Sequence, residues 1–495
     1  MLHAARPKLL ALVAIPFFVS SPGALAGASD AFTGSWAGQF SAPFDPRPLE
    51  IRFGLEQGAD GSWHGALDGD MVGPGLLLGT AGGEELDLGC DFGSGISSFR
   101  LTSKGEGQLF GVLDYGGIPV SLDFHRTAER WADDLHFEVV MPAQRPSEVS
   151  IDGLPEVWLE PIDARVSAAM SAGPMVGLAL AVVIDGAVLD SRSWGWSDVE
   201  RQIPVTDSTL FRWGSISKSI TGLVSAKLAV EGVLDLDQDV RERVPEFPKK
   251  KHVVTTRLLL GHLGGLPHYA HMPTVTRVDY GVEFPFRDPV RAIDMFRAAP
   301  LIHEPGTRFS YSTHGYALVG AVIERSSKRG YLGEVQRLVS GPFEMKSLEN
   351  DDPSAPRDAR TTGYRVTADG RFFNSGDSNV AWKLAGGGFQ STVTDLGRFG
   401  AGLCDEYLLD EETRELLWTP QVTRGGETSG YALGFRIARH EGQLLVSHGG
   451  AQRRTRTFLV CAPEAGLAVA LMSNTEGAQL ESIGQEIMRV LLDQG

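Results

Sequence analysis

The chain has 495 residues, more than one ordinary domain holds, and its length suggests two or three. Hydrophobic residues make up 42% and charged residues 22%, the composition of a globular protein with a sizeable core. Lys and Arg number 45 against 62 Asp and Glu, a formal net charge of -17, which argues against nucleic acid or an anionic membrane surface as the main partner.

The N-terminus carries Arg6 and Lys8, an apolar run from Leu9 to Val19, and then Ala24-Leu25-Ala26. That order is the pattern of a secretory signal peptide over residues 1–26, with cleavage expected after Ala26, so the mature protein is expected to be periplasmic or secreted. The apolar run is shorter than the roughly 20 residues that a bilayer-spanning helix needs, and no stable membrane span is expected.

Residues 27–130 are rich in Gly and in short alternating runs such as PLEIRFGLEQ, SWHGALDG and VSLDFH. Period-two segments separated by Gly and Asp predict an all-β accessory domain, an antiparallel sheet or small barrel. The pattern lapses over residues 131–154, which include MPAQRPSEVS and are read as a linker.

From residue 155 to 495 strands and helices alternate. GLALAVVIDGAVLDSRSWGWSD predicts two strands joined at Asp185-Gly186. SKSITGLVSAKLAVEGV has helical apolar spacing through Ile220, Leu223, Val224 and Leu228. GYALVGAVIERSS predicts another helix, and STVTDLGRFGAGL a third capped by Ser391 or Thr392. TRTFLVCAP and GLAVALMSN predict strands, and a last helix runs from about Gly477 to Asp493. The expected fold is α+β: an antiparallel sheet closed by the first and last segments of the region, flanked by helices, with a helical insertion. The three cysteines, Cys90, Cys404 and Cys461, are too few for a disulfide framework and are read as buried thiols, a pairing of Cys404 with Cys461 being left open.

Three local groups carry chemistry. Ser215 is the serine with a lysine three residues on, Lys218; on a helix that spacing lets the amine reach the hydroxyl, and burial would drive the amine toward its proton-accepting neutral form. In RFSYSTHGY, Tyr311 and Thr313 alternate just before a helix and can face one pocket. Tyr311 is a candidate base, because a neighbouring ammonium would favour its phenolate. In LLVSHGGAQ, Gly449 and Gly450 allow close approach to the backbone, and the N–H groups of Ser215 and Ala451 are candidate oxyanion donors, with His448 beside them. His262, His268 and His271 match no zinc spacing, and neither a metal nor an organic cofactor is required. Arg454 and Arg456 alternate and are expected to face solvent or clamp an anionic group. No Gly-x-Ser-x-Gly elbow occurs, which argues against an alpha/beta-hydrolase.

In this order the three groups resemble the serine beta-lactamase-like and penicillin-binding-protein family, related to class C beta-lactamases, D-Ala carboxypeptidases and esterases. The resemblance runs from about Pro174 to Asn474 and includes LLLGHLGGLPHY and AGGGFQSTVTDL; VPEFPKK and YSTHGY are most similar to the mitochondrial branch found in animals. It implies a beta-lactamase/transpeptidase-like fold and a serine hydrolase that forms an acyl-enzyme on a small peptide or ester, with peptidoglycan-derived peptides favoured by export. It further implies that Ser215 is the nucleophile, Lys218 its activating amine and Tyr311 the base that protonates the leaving group, while Thr313, His448, Gly449, Gly450 and Ala451 bind substrate. Thr313 stands where the family has an asparagine, His448 where beta-lactamases have a lysine, and Arg453, Arg454 and Arg456 where relatives have small residues. The Thr313 and arginine departures motivate one alternative, a non-catalytic or weakly active scaffold; a class C-like beta-lactamase is a second, against which the His448 departure weighs.

Overall fold

The computed structural model describes residues 32–41, 48–57, 63–69, 75–82, 85–91, 96–105, 107–115, 118–126, 154–172, 175–269, 288–352, 359–366, 372–376 and 378–494. The signal segment, nearly all of the expected linker and His271 lie outside these residues.

Eight strands, from Gly34–Ser41 to Ile118–Arg126, pair antiparallel in chain order, and the last pairs with the first to close a barrel. Closure leaves no sheet edge unpaired. Alternation places Phe53 and Leu55, and Leu86 and Leu88, inside with Trp36, Trp63 and Phe124. Gly38 is required where the barrel closes, since a Cβ there would lie 2.5 Å from the Phe124 ring.

The remaining chain is built on a seven-stranded antiparallel sheet. Its order is Ile203–Pro204, Ala187–Asp198, Gly177–Ile184, Leu467–Ser473, Thr455–Ala462, Gln443–Gln452, Arg436–His440. The first long hairpin therefore pairs with a strand from the other end of the region, as the sequence predicts. Its turn uses Asp185 at φ 52° and Gly186 at φ 71°, the two left-handed residues of a tight hairpin.

Every residue of Gly177–Ile184 is buried, because both faces of the sheet are covered. Ala179, Ala181 and Val183 join the main core, which takes in the helices Ser217–Val230, Thr313–Ser326 and Val393–Cys404. Leu178, Leu180, Val182 and Ile184 face a second core formed with the helices Glu156–Ala172 and Leu480–Gln494. Thr392, not Ser391, caps Val393–Cys404 by accepting from the Asp395 N–H. Cys404 and Cys461 are buried free thiols; burial pushes the Cys404 thiol up to about 12 and raises that of Cys461 well above its usual range. No helix among the described residues is long and apolar enough to cross a membrane.

Candidate active site

The site begins at Trp213, which is fully buried. Its N–H donates to Phe389 O at 2.8 Å, its indole N–H to Ser391 Oγ at 2.7 Å, and its carbonyl accepts from Thr457 Oγ1 at 2.8 Å. These bonds hold the start of the 3-10 turn Gly214–Ile216, which runs directly into the helix Ser217–Val230. Gly214 sits at φ +53°, and a Cβ on it would approach Ala451 N at 3.2 Å. The turn carrying Ser215 is thereby packed against the strand end at Gly450 and Ala451, the two N–H groups of interest lying on adjoining segments.

Lys218 is completely buried. Its Nζ lies 3.2 Å from Ser215 Oγ, 3.1 Å from Thr313 Oγ1 and 2.6 Å from Gly386 O. Among the described residues no carboxylate is within ion-pair distance of it. Burial, with a smaller contribution from the nearby charge of Lys383, holds the amine well below its usual range. A neutral amine has two N–H donors and one lone pair. As a cation Lys218 donates to all three oxygens; as a neutral amine it could keep Gly386 O and Thr313 Oγ1 on its two N–H groups and turn its lone pair to the Ser215 hydroxyl.

Tyr311 lines the same space. The Lys218 nitrogen lies 4.9 Å from the centre of its ring and 5.4 Å from that of Tyr316. Burial raises the Tyr311 phenol above its ordinary range, opposed in part by a side-chain hydrogen bond with Ser215. This reverses the expected direction. Burial lowers the Lys218 pKa while it raises that of Tyr311, so the surroundings disfavour an ammonium–phenolate pair and favour Tyr311 as a phenol. Thr313, the first residue of the helix Thr313–Ser326, supplies an oxygen to Lys218.

His448 stands on the strand Gln443–Gln452 with both ring nitrogens engaged. Nδ1 lies 2.7 Å from Gly449 O and Nε2 2.8 Å from the Tyr431 hydroxyl. Donation to the carbonyl puts the proton on Nδ1, leaving Nε2 to accept from Tyr431. Burial, and to a smaller extent the neighbouring Lys218, lower its pKa to about 3, so His448 stands in the cleft wall as a neutral ring. Gly450 is required, because a Cβ there would overlap Trp213 O and Thr457 Oγ1.

The arginines depart from expectation too. Arg454 is on a turn at φ 73°, buried, with its N–H on Glu476 Oε1 and its guanidinium on Thr361 O. It does not alternate on a strand with Arg456, because the strand begins at Thr455. Arg456 lines the cleft and bonds the carbonyls of Gln452 and Thr455.

Ser215, His268, Tyr311, Tyr431, His448 and Ala451 share the walls of a cleft of about 1090 Å³. Neither described histidine of the 262–271 group is arranged as a ligand, since His262 Nδ1 accepts from Ser312 N–H at 3.1 Å and His268 Nδ1 from Thr313 N–H at 3.2 Å. Sequence reasoning did not assign roles to Gly386, Tyr431, His262 or His268. The landmark runs AGGGFQSTVTDL and LLLGHLGGLPHY were the available signal for three of them, and Tyr431 had none.

The profile of the Beta-lactamase family matches residues 162–490. The chain is 29% identical over 323 residues to human serine beta-lactamase-like protein LACTB, mitochondrial, covering 49% of this chain and 59% of that protein. It is 27% identical over 314 residues to a D-aminopeptidase of Gluconobacter oxydans, covering 63% of this chain and 58% of that one. The chain thus spans less than two thirds of the length of either relative. Among solved structures, the octameric penicillin-binding protein homologue from Pyrococcus abyssi superposes with a TM-score of 0.59 at 26% identity, over 68% of this chain and 77% of that one. A D-amino acid amidase from Ochrobactrum anthropi SV3 shares the fold, with a TM-score of 0.58 at 22% identity over 68% and 99% of the two chains.

Proposed function

Because the chain belongs to the Beta-lactamase family, we propose that it hydrolyses a small peptide, amide or ester through an acyl-enzyme on Ser215. The observation that carries this reading is the buried Lys218 amine, hydrogen-bonded to three oxygens and set beside the serine, with no carboxylate among the described residues within ion-pair distance. In the proposed cycle Lys218 takes the Ser215 proton as Oγ attacks the substrate carbonyl. The N–H groups of Ser215 and Ala451 hold the oxyanion. As the tetrahedral adduct collapses, the proton passes from the Lys218 ammonium through the Tyr311 hydroxyl to the leaving group, and the bond to that group breaks. Water then gives its proton to Lys218 by the same route and attacks the ester carbonyl; as the second adduct collapses, Lys218 returns that proton to Ser215 Oγ, the acyl–Oγ bond breaks, and the acid and free Ser215 are released.

The relatives favour amide substrates, one being a D-aminopeptidase. The signal-peptide pattern supports export, where peptidoglycan-derived peptides are available. The test is the intact mass of the mature protein after exposure to D-peptide, L-peptide, short-chain ester and beta-lactam donors, with Ser215→Ala alongside. An adduct on the wild type that the variant lacks supports the reading, and its mass identifies the acyl class. A stable or turned-over beta-lactam adduct alone points to a beta-lactamase. Folded protein that takes no label from any donor points to a scaffold. An N-terminal peptide beginning at Gly27 in exported protein would support cleavage after Ala26.

A further inference from the structure

Tyr311 occupies a loop position immediately before a helix cap, yet the proposed relay needs its hydroxyl held to a fraction of an ångström. Loops do not supply that precision unaided. In this fold one residue from a distant segment brackets Tyr311 on both chain sides. The carbonyl of His262 accepts from Ser310 N–H at 2.8 Å, and the Nδ1 of the same residue accepts from Ser312 N–H at 3.1 Å. Between those two bonds the imidazole lies against the Tyr311 ring, with centroids 4.2 Å apart.

The bracket requires an unusual backbone. His262 is in the left-handed region at φ 59°, which is uncommon for any residue but Gly. It is 1% exposed, enclosed by Phe309, Tyr316 and Tyr431 at ring separations of 5.6, 5.2 and 4.7 Å. Since Nδ1 accepts, the neutral ring must carry its proton on Nε2, and that buried atom has no hydrogen-bond partner among the described residues. A left-handed backbone and an unfilled buried donor are costs. They persist here where three contacts converge on one loop residue.

We propose that His262 is a positioning residue for Tyr311, fixing the phenol against Ser215 through its carbonyl, its Nδ1 and its ring. This rests on the acyl-transfer reading above. The acceptor contributes more than the ring: Asn would supply the backbone conformation and an acceptor but no ring, and Phe the ring but no acceptor. Protonation at Nδ1 would turn the acceptor into a donor facing Ser312 N–H, and burial beside Lys218 keeps the ring neutral.

The test compares His262→Phe and His262→Asn with the wild type, using whichever donor labels Ser215. His262→Phe is expected to lose about 10²-fold in kcat, the scale set by a misplacement of about 1 Å, with KM within about threefold. His262→Asn, which restores the acceptor, is expected to recover at least about tenfold over His262→Phe. Wild-type kcat in folded His262→Phe, a loss confined to KM, or no recovery in His262→Asn would each overturn the proposal. A measurement on the wild type needs neither a variant nor turnover: ¹⁵N NMR of histidine-labelled protein should show a buried neutral ring protonated on Nε2. A ring protonated on Nδ1, or an imidazolium, at neutral pH would overturn the proposal even if no donor labelled Ser215. Absence of any Ser215 adduct would instead count against the acyl-transfer reading, so the two failures are distinguishable.

Discussion

The Lys218 nitrogen and the Gly386 carbonyl oxygen meet at 2.6 Å across 168 residues of chain. The contact ties the helix Ser217–Val230, which carries Lys218 and follows the nucleophile turn, to the short helix Leu384–Gly387. It also claims one of the two protons of a neutral amine, and Thr313 Oγ1 at 3.1 Å claims the other. With both protons so engaged, a neutral Lys218 would turn its lone pair to Ser215 Oγ, 3.2 Å away. Catalytic competence in this site is therefore a matter of proton inventory, and the first prediction follows from it.

The reaction is expected to need Lys218 without its proton. Its folded-state pKa is lowered, chiefly by burial, so acylation should be lost as pH falls through that lowered value and be fully present above it. Tyr311, whose pKa is raised, imposes no limit at mildly alkaline pH. A pH profile of kcat/KM checks this, and a rate that rose only near the ordinary lysine pKa would contradict it. The same shift has a stability consequence. Between the folded and unfolded pKa values the unfolded chain binds the extra proton, so stability rises with pH across that window. Lys218→Met should abolish labelling and flatten this slope, which melting curves at several pH values would show.

Thr313→Val keeps shape but removes the oxygen that takes one Lys218 proton. An unsatisfied buried donor costs about 1–3 kcal/mol, so acylation is expected to fall by roughly 5- to 100-fold, while Thr313→Ser stays near wild type. Thr313→Asn, the family's residue, should retain an acceptor for the amine. Rates of ester turnover by the three variants test the assignment.

His448 has a pKa of about 3 and both nitrogens occupied. The acid limb of the pH profile should therefore not move when His448 is replaced by Gln. Tyr431→Phe should leave the buried Nε2 without its donor and lower stability by about 1–2 kcal/mol. Movement of the acid limb in His448→Gln would mean that this ring, and not Lys218, is the titrating group.

Gly450→Ala should be damaging out of proportion to its one carbon. The added Cβ would overlap Trp213 O and Thr457 Oγ1, the bond that anchors the nucleophile turn. Overpacking of this kind costs about 1–3 kcal/mol, and because the displaced segment carries Ser215, labelling should slow as the melting temperature falls. Gly442→Ala, at a hairpin position where a Cβ would meet nothing within 4 Å, is the control: its φ of +90° strains the backbone without touching the site, so labelling should be spared.

Much of this molecule is legible in local pattern. The spacing of Ser215 and Lys218, the Asp185-Gly186 turn, the cap at Ser391 or Thr392 and the strand through GLALAVVI each express a local spacing or turn preference within a few residues, and the structure carries each, with Thr392 as the cap. Tertiary structure decided what no local pattern encodes. Gly386 O reaches Lys218, His262 brackets Tyr311, and Tyr431 caps His448 because helices and strands far apart in sequence are packed together. Electrostatic sign was decided there as well. Sequence suggested an ammonium beside a phenolate and two solvent-facing arginines. Burial of Lys218 and Tyr311 reversed the first, and the turn that sends Arg454 toward Thr361 and Glu476 removed the second. Desolvation depends on every segment that surrounds a group, and so it exists only once the chain has folded.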